Sequence, residues 1–401
     1  LSRWATTGVL PLETVVCLSG DEVRAVLGTG RLASLVLVDA GTSALDRDLV
    51  ASALRVGVPV VVVDDGRTRR DWDSLGCSET VAADLTPDQL MDLLGRYARP
   101  VDPSQRITAR STDLGDRAPQ RCRVVSVTGT GGSGSSTVAS ALAQGLSSAS
   151  SLNNSVALID GSRRSGLTVL HDPGDVLPGL PELVEAFRSD EPDPSVIRSM
   201  LRPIPTRGYD LLLGLRRTRD WAGLRPLALT AALNGLARSY DTVVIDHDAD
   251  VEGEPTTGSI DVEERHGLCR WSARTADLLV LVGRNDLAGL HALASIRADL
   301  LDAEVPSERI LTVLNCCTGN RLPRPTQGLV VGGSHPPVRL PKIRGMEMAH
   351  RAVAKVPSSL VRPITRAVVQ TLEQLGDRPA TPSAVPIRPG ELGSRLDGEV
   401  A

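Results

Sequence analysis

Apolar residues occur along this chain in two rhythms. Short continuous runs alternate with stretches in which apolar positions recur every three or four residues. Continuous β-branched runs predict strands buried on both faces, and the longer period predicts helices that cover them. Between residues 12 and 98 the runs are Val15-Val16-Cys17-Leu18, Leu35-Val36-Leu37-Val38 and Val58-Pro59-Val60-Val61-Val62-Val63. Each ends near an acidic or small residue. Pro87-Asp88-Gln89-Leu90 then opens a helix expected to reach Tyr97. These features predict a small α/β domain over 1–98.

Residues 99–121 carry Pro, Ser, Thr and charge with almost no apolar positions, as an interdomain linker does. Beyond them, strands are expected at 123–127, 156–160, 210–213, 242–246, 278–282 and 310–315. Helices are expected at 226–238, 286–303 and 358–375. A further helix follows the first strand, with Val138, Ala141, Leu142 and Leu146 on its buried face. This alternation predicts an α/β fold, a doubly wound and mostly parallel sheet, over 122–376. Residues 247–264 are expected to be an acidic loop and 377–401 a disordered tail. No internal repeat is present.

Composition narrows the function classes. Over 401 residues, 41% are hydrophobic and 23% charged, enough for a real core, and the net charge of -4 does not favour nucleic acid as the main partner. Aromatics are 2%, too few for a surface that stacks bases. Six scattered cysteines without a CxxC pair argue against zinc or a disulfide scaffold and fit a reducing cytoplasm. No apolar run approaches the roughly 18–20 residues that span a bilayer, and no signal-peptide pattern opens the chain. The expectation is a cytoplasmic protein. Of 44 basic residues only Lys342 and Lys355 are lysine.

That scarcity matters at residues 128–137, Thr-Gly-Thr-Gly-Gly-Ser-Gly-Ser-Ser-Thr. They lie between a predicted buried strand and a helix N-terminus, where backbone N–H groups and the helix dipole favour an anion. Against the phosphate-loop pattern G-x-x-x-x-G-K-[ST], Gly129, Gly134 and Ser136 match and Ser135 replaces the lysine. A flexible strand-to-helix connection is the plainer alternative.

The segment VVSVTGTGGSGSSTVASALAQGL resembles the deviant Walker A of the ParA/MinD superfamily, K-G-G-x-G-K-T-T. The signature lysine falls at Thr130 and the phosphate-loop lysine at Ser135. The layout is similar to the CpaE/TadZ branch, which includes actinobacterial septum-site-determining (Ssd-like) proteins. That branch often loses these lysines and joins a degenerate receiver-like domain to the N-terminus. The resemblance implies that Gly129, Thr130, Gly131, Gly132, Ser133, Gly134, Ser135, Ser136 and Thr137 surround ATP or ADP. It implies that Ser136 and Asp246 hold Mg2+, that Asp160 is the catalytic acid at a switch, with Ser162 where a second acid that helps position the attacking water is usual, and that Asn315 reads adenine. The alternative for Asp246 is a strand-end loop cap, against which the glycine loop favours the magnesium role, and Asn315 is equally a turn former ahead of Cys316-Cys317-Thr318-Gly319.

In phosphoryl transfer the protein supplies mainly positioning and electrostatic stabilisation. Removing one such donor costs roughly 10²–10³ in rate. Weak or absent hydrolysis is therefore expected, unless Arg121, Arg123, Arg163 or Arg164 substitutes. The resemblance also implies a homodimer and a role in placing the division septum or a pilus or secretion machine. The N-terminal domain resembles a response-regulator receiver, in which Asp39 would stand at the phosphoacceptor position, but Asp39 reads as a strand-end residue rather than a phosphosite. The first strand lacks an acid pair, the fourth ends in Asp64, and the fifth-strand lysine position falls near Ala83, which predicts a pseudo-receiver used for protein contacts. Arg321, Arg324, Arg339, Lys342, Arg344, Arg351, Lys355, Arg362 and Arg366 form a basic stretch. It suits peripheral contact with anionic lipid at the inner face of the cell membrane or, less well, DNA phosphate; a solvated basic face is the alternative. The stripe Leu360, Val361, Ile364, Val368, Leu372 and Leu375 is expected to be core.

Overall fold

The structure is a computed structural model that describes residues 14–17, 19–28, 33–42, 45–68, 70–98, 122–149, 155–171, 174, 177–318 and 334–376. The expected linker 99–121 and tail 377–401 lie outside the described residues, as do Arg121, Arg321 and Arg324.

The N-terminal part runs α1 (Gly20–Gly28), β1 (Val36–Asp39), α2 (Arg47–Arg55), β2 (Val60–Asp64), β3 (Glu79–Ala82) and α3 (Pro87–Tyr97). The three strands are parallel in the order β1-β2-β3. β2 is buried on both faces, as its valine run predicts. Val60 and Val62 pack with Leu49, Val50 and Ala53 of α2, and Val61 with Leu90 and Leu93 of α3. α3 starts where expected because Thr86 and Gln89 form a capping box: Gln89 N donates to Thr86 Oγ1 at 3.3 Å and Thr86 N to Gln89 Oε1 at 2.9 Å. The expected first strand is a correction. Val15 to Cys17 belong to no strand, with Val15 and Val16 exposed, and Leu18 is outside the described residues. A short apolar run gains strand geometry only from a neighbour to pair with.

The larger part continues with β4 (Arg123–Gly129), α4 (Ser135–Ser147), β5 (Val156–Asp160), α5 (Gly166–His171), α6 (Leu180–Ser189) and α7 (Pro194–Ser199). Then follow β6 (Arg202–Ile204), β7 (Tyr209–Leu212), α8 (Pro226–Ser239), β8 (Thr242–His247), α9 (Glu254–Thr257), α10 (Ile260–Arg265) and α11 (Gly267–Thr275). β9 (Leu278–Arg284), α12 (Leu287–Asp302), β10 (Ile310–Cys317), β11 (Val338–Pro341), α13 (Met346–Arg351) and α14 (Ser358–Leu375) complete it. The eight strands lie in the order β11-β10-β9-β4-β8-β5-β7-β6. All pairings are parallel except β6 with β7. Residues 247–264, expected as a loop, contain α9 and all but the last residue of α10. Their acids are compatible with helix first turns, where the dipole favours negative charge.

Period-two alternation divides the strand side chains between two helical layers. On one face Val125, Val127, Leu158, Val244 and Val280 pack with Val138, Ala141 and Leu142 of α4 and with Leu360, Ile364 and Val368 of α14. On the other, Ala157, Ile159, Val243 and Ile245 pack with Leu183 and Phe187 of α6 and Ala232 and Leu236 of α8. The apolar stripe of α14 is thus core, as expected. α14 crosses α4 at Gly145, where a Cβ would lie 1.8 Å from Thr365 Oγ1. No helix among the described residues is long and apolar enough to cross a membrane.

Candidate functional site

Parallel strands place their carboxyl ends along one edge of the sheet, where open α/β folds bind ligands. β4 sits between β8 and β9, so the glycine loop leaves the sheet at its centre. Gly129 is required there: a Cβ would lie 2.3 Å from Val282 O. Gly132 and Gly134 have φ of +78° and +86°, the left-handed region that glycine adopts without penalty. The loop closes on itself through Ser133 N donating to Thr130 O at 3.0 Å. α4 then begins at Ser135, aiming the unpaired N–H groups of its first turn at the loop.

Asn315, at the end of β10, holds this loop from the side. Its Nδ2 donates to Ser133 O at 2.9 Å, and its Oδ1 accepts from Cys316 N at 2.8 Å. Cys316 has φ of +58°, a strained value for a non-glycine residue, at the irregularity between β10 and β11.

Asp246 and Asp160 end neighbouring strands in register with each other. Both are 0% exposed. Asp160 Oδ2 accepts from Thr168 N at 3.0 Å and from Thr168 Oγ1 at 3.2 Å. Its Oδ1 and both carboxylate oxygens of Asp246 are buried without a hydrogen-bond partner. Burial pushes Asp246 up to about 8, and the Asp160 and Asp248 charges add to the rise. The neighbouring Ser136 and Ser135 hydroxyls temper it without completing a hydrogen bond of ordinary geometry. Burial likewise raises Asp160 to about 7, opposed by its bonds to Thr168. Orphaned carboxylate oxygens are costly in a dry interior. A hard divalent cation with oxygen ligands matches this donor set, with Ser136 as the adjoining hydroxyl.

One consequence is a pH dependence. Asp246 holds in the folded chain a proton that the unfolded chain, with a value near 3.8, releases. Its contribution to stability is fully present below that value and is lost as pH rises through about 8. Thermal unfolding in a chelator is expected to show Tm falling between about pH 5 and about pH 8, and Asp246→Asn is expected to flatten the fall. A wild-type Tm unchanged across that interval would contradict the assignment.

Residues 128–137 contain no lysine, and the four arginines expected as substitutes fare differently. Arg123 begins β4, six residues before Gly129, so it lies about 20 Å away along the strand at the opposite edge. Arg163 is held by acids: its Nε donates to Asp248 Oδ2 at 2.8 Å and its Nη2 pairs with Asp250. Arg164 is exposed. Arg121 lies outside the described residues. Thr130 and Ser135 are partly exposed, and Ser162 accepts from Ser165 N at 3.1 Å.

Two groups escaped the sequence reading. Asp248 and Asp250 tie the loop after β5 to the loop after β8, and their signal was the alternating acids of Asp246-His247-Asp248-Ala249-Asp250. Behind the glycine loop runs a buried polar chain. Ser272 Oγ donates to Ser126 Oγ at 3.1 Å, and Ser126 Oγ lies 2.5 Å from His247 Nε2. His247 Nδ1 lies 2.6 Å from Asp248 O, so Nδ1–H donates there and Nε2 accepts from Ser126. Burial keeps this imidazole neutral, down to about 4.

In the N-terminal part, Asp39 ends β1 and accepts from Gly41 N at 2.7 Å, while Asp64 accepts from Gly66 N at 2.9 Å and from Trp72 Nε1 at 3.3 Å. Both carboxylates brace turns.

No family model matches the sequence, and no curated protein matches it. Solved structures do. A ParA family ATPase from Chlorobium tepidum TLS is 20% identical, with a TM-score of 0.51 over 62% of this chain and 98% of that one. The cell division ATPase MinD of Pyrococcus furiosus is 17% identical, with a TM-score of 0.48 over 63% and 99% of the two chains. The septum site-determining protein MinD of Pyrococcus horikoshii OT3, complexed with Mg-ADP, is 18% identical, with a TM-score of 0.46 over 63% and 96%. The first of these gives the larger part the fold of a ParA family ATPase, and at such identities the likeness is one of fold alone.

Proposed function

We propose that this chain is a ParA/MinD-like positioning protein that binds a nucleotide at residues 129–137 and hydrolyses it weakly or not at all. The observation that carries this reading is the pair of orphaned, buried Asp246 oxygens beside a glycine loop whose two cationic positions are Thr130 and Ser135. The loop backbone and Ser136 would meet the phosphates, and Ser136 with Asp246 would hold the magnesium ion. The ion supplies charge neutralisation and orientation when bound. Asp160 belongs to the same acidic floor. Asn315 steadies the loop in this arrangement, a role that accounts for its asparagine without an adenine contact.

The CpaE/TadZ or Ssd-like type is the finer reading we favour, with a role at the division septum or at a pilus or secretion machine. The N-terminal part supports it. Its strand order β1-β2-β3 is what the third, fourth and fifth strands of a receiver would give, and it lacks the acid pair and lysine of a working one. We therefore read 1–98 as a degenerate receiver-like domain and 122–376 as the nucleotide-binding domain. A second copy of the chain and a division or pilus component are the partners this implies. Arg339, Lys342, Arg344, Lys355, Arg362 and Arg366 would meet an anionic membrane.

Calorimetry with Mg-ATP and Mg-ADP, beside a monomer–dimer assay, tests the binding half. Saturable binding weakened by Asp246→Ala is the expected result. The absence of heat with either nucleotide over the millimolar range would sink it.

A further inference from the structure

Three consecutive residues at the start of α2 reach across to helices of the larger part. Asp46 Oδ2 accepts from Arg188 Nη2 at 2.8 Å. Arg47 donates from Nε to Phe187 O at 3.2 Å and from Nη2 to Asp190 O at 3.4 Å. Asp48 accepts from Leu227 N at 3.1 Å through Oδ1 and from Ala228 N at 3.3 Å through Oδ2. Asp46 and Asp48 are 1% and 6% exposed.

The chemistry of these contacts is helix capping supplied by another part of the chain. α8 begins at Pro226, and the residue before it, Arg225, makes no side-chain cap. Its orphan first-turn N–H groups and positive dipole end call for a carboxylate, and Asp48 provides it. The carbonyls of Phe187 and Asp190 close the C-terminal end of α6, where a basic side chain is favoured, and Arg47 provides it. Asp46 joins the two sites. It also caps its own helix through Leu49 N at 2.8 Å and pairs with Arg24 at 3.3 Å.

The clamped helices stand against the loop that follows Asp160. Leu180, the first residue of α6, donates from N to Leu213 O at 2.7 Å. Ser165 Oγ donates to Leu215 O at 2.5 Å. The loop and α6 therefore share one backbone support. Leu180 of α6, Leu224 and Leu229 at α8, and Gly161 and Arg163 of the loop also line a single small cavity.

We propose that residues 46–48 form a helix-capping clamp that holds α6 and α8 as one unit and so fixes the loop 161–165 beside Asp160. The N-terminal part is then a brace on the switch-like loop. This holds whether or not nucleotide binds, so the clamp and the proposed function fail separately.

Hydrogen exchange on the full chain tests it. In Asp48→Ala, peptides carrying Leu227 and Ala228 are expected to exchange roughly fivefold to tenfold faster. The decisive variant is the pair Arg47→Ala with Arg188→Ala, which removes contacts to α6 and leaves Asp48 intact. A clamp that works as a unit loses the Asp48 cap there too, so the start of α8 and residues 161–165 should both exchange faster. If the start of α8 keeps its wild-type rate in that variant, the three contacts are independent and the proposal is wrong. If residues 161–165 keep theirs in both variants, the brace on the loop is wrong. Asp48→Asn keeps the shape and one acceptor oxygen, so it is expected to fold and to show a smaller acceleration at 227–228. Unchanged exchange there would also overturn the clamp.

Discussion

Ser135→Lys is expected to raise ATP turnover of the full chain by roughly 10²-fold, the scale on which a single preorganised charge acts in phosphoryl transfer. Ser135 is the first residue of α4, where under the proposed function a cation would face phosphates bound at the loop. Its hydroxyl already lies close to Asp246. A lysine there would neutralise two burdens at once. With nucleotide bound it would compensate phosphate charge, and without nucleotide it would give the buried Asp246 and Asp160 carboxylates a counter-charge. The same substitution is therefore expected to lower the proton affinity of Asp246 and flatten the pH dependence of stability. Steady-state phosphate release and Tm against pH, measured on one preparation, check both. Arg163 is unsuited to the same service because Asp248 and Asp250 already hold it. If turnover stays at the wild-type level while the pH profile flattens, the loop lacks more than a charge.

Phe187→Ala is expected to cost about 3–5 kcal/mol of stability, the largest effect we foresee for a single side chain. Phe187 is 0% exposed and is the only phenylalanine in the chain. It fills the space over Gly235 of α8, where a Cβ would lie 2.2 Å from its ring. Thus the ring joins α6 to α8 from within, and its carbonyl accepts from Arg47 on the outside. Removing the ring should leave a cavity between two helices that have little freedom to close it. Chemical denaturation of wild type and variant measures the cost. A loss below about 1 kcal/mol would mean that the interface repacks, which is the behaviour of a loosely specified core rather than the close packing described.

Much of the fold could be read from hydrophobic pattern. The strands at 156–160 and 242–247 are continuous β-branched or aliphatic runs because both faces are covered, and their boundaries follow the pattern closely. The helix 358–375 could be read for the same reason: one stripe, one core. Residues 161–208 were less legible. There α5, α6 and α7 are short and interrupted by Pro and Gly, and their positions depend on contacts with α2, β7 and α8 that no local period encodes. The run at Val15 fails for the opposite reason. It has the composition of a strand and, among the described residues, no partner strand to make it one. At the candidate site, the glycines and Asp246 were visible because phosphate loops need fixed spacing. The Arg163–Asp248 tie, the His247–Ser126 chain and the Asp48 cap were hidden because each joins residues far apart in sequence.

The arginine-rich composition acquires a specific meaning at two positions. A general preference for arginine over lysine would place arginine at 130 and 135, yet Thr130 and Ser135 are small hydroxyl residues. Under the proposed function, what remains is a loop that would meet phosphate and an acidic floor that would hold a cation, with neither lysine of the usual pattern to drive the reaction. ATP turnover by the wild-type chain, set beside Asp246→Ala under saturating Mg-ATP, is the most direct measurement. The account predicts little or no phosphate release from either protein. Turnover at the level of an ordinary ATPase, abolished by Asp246→Ala, would contradict it.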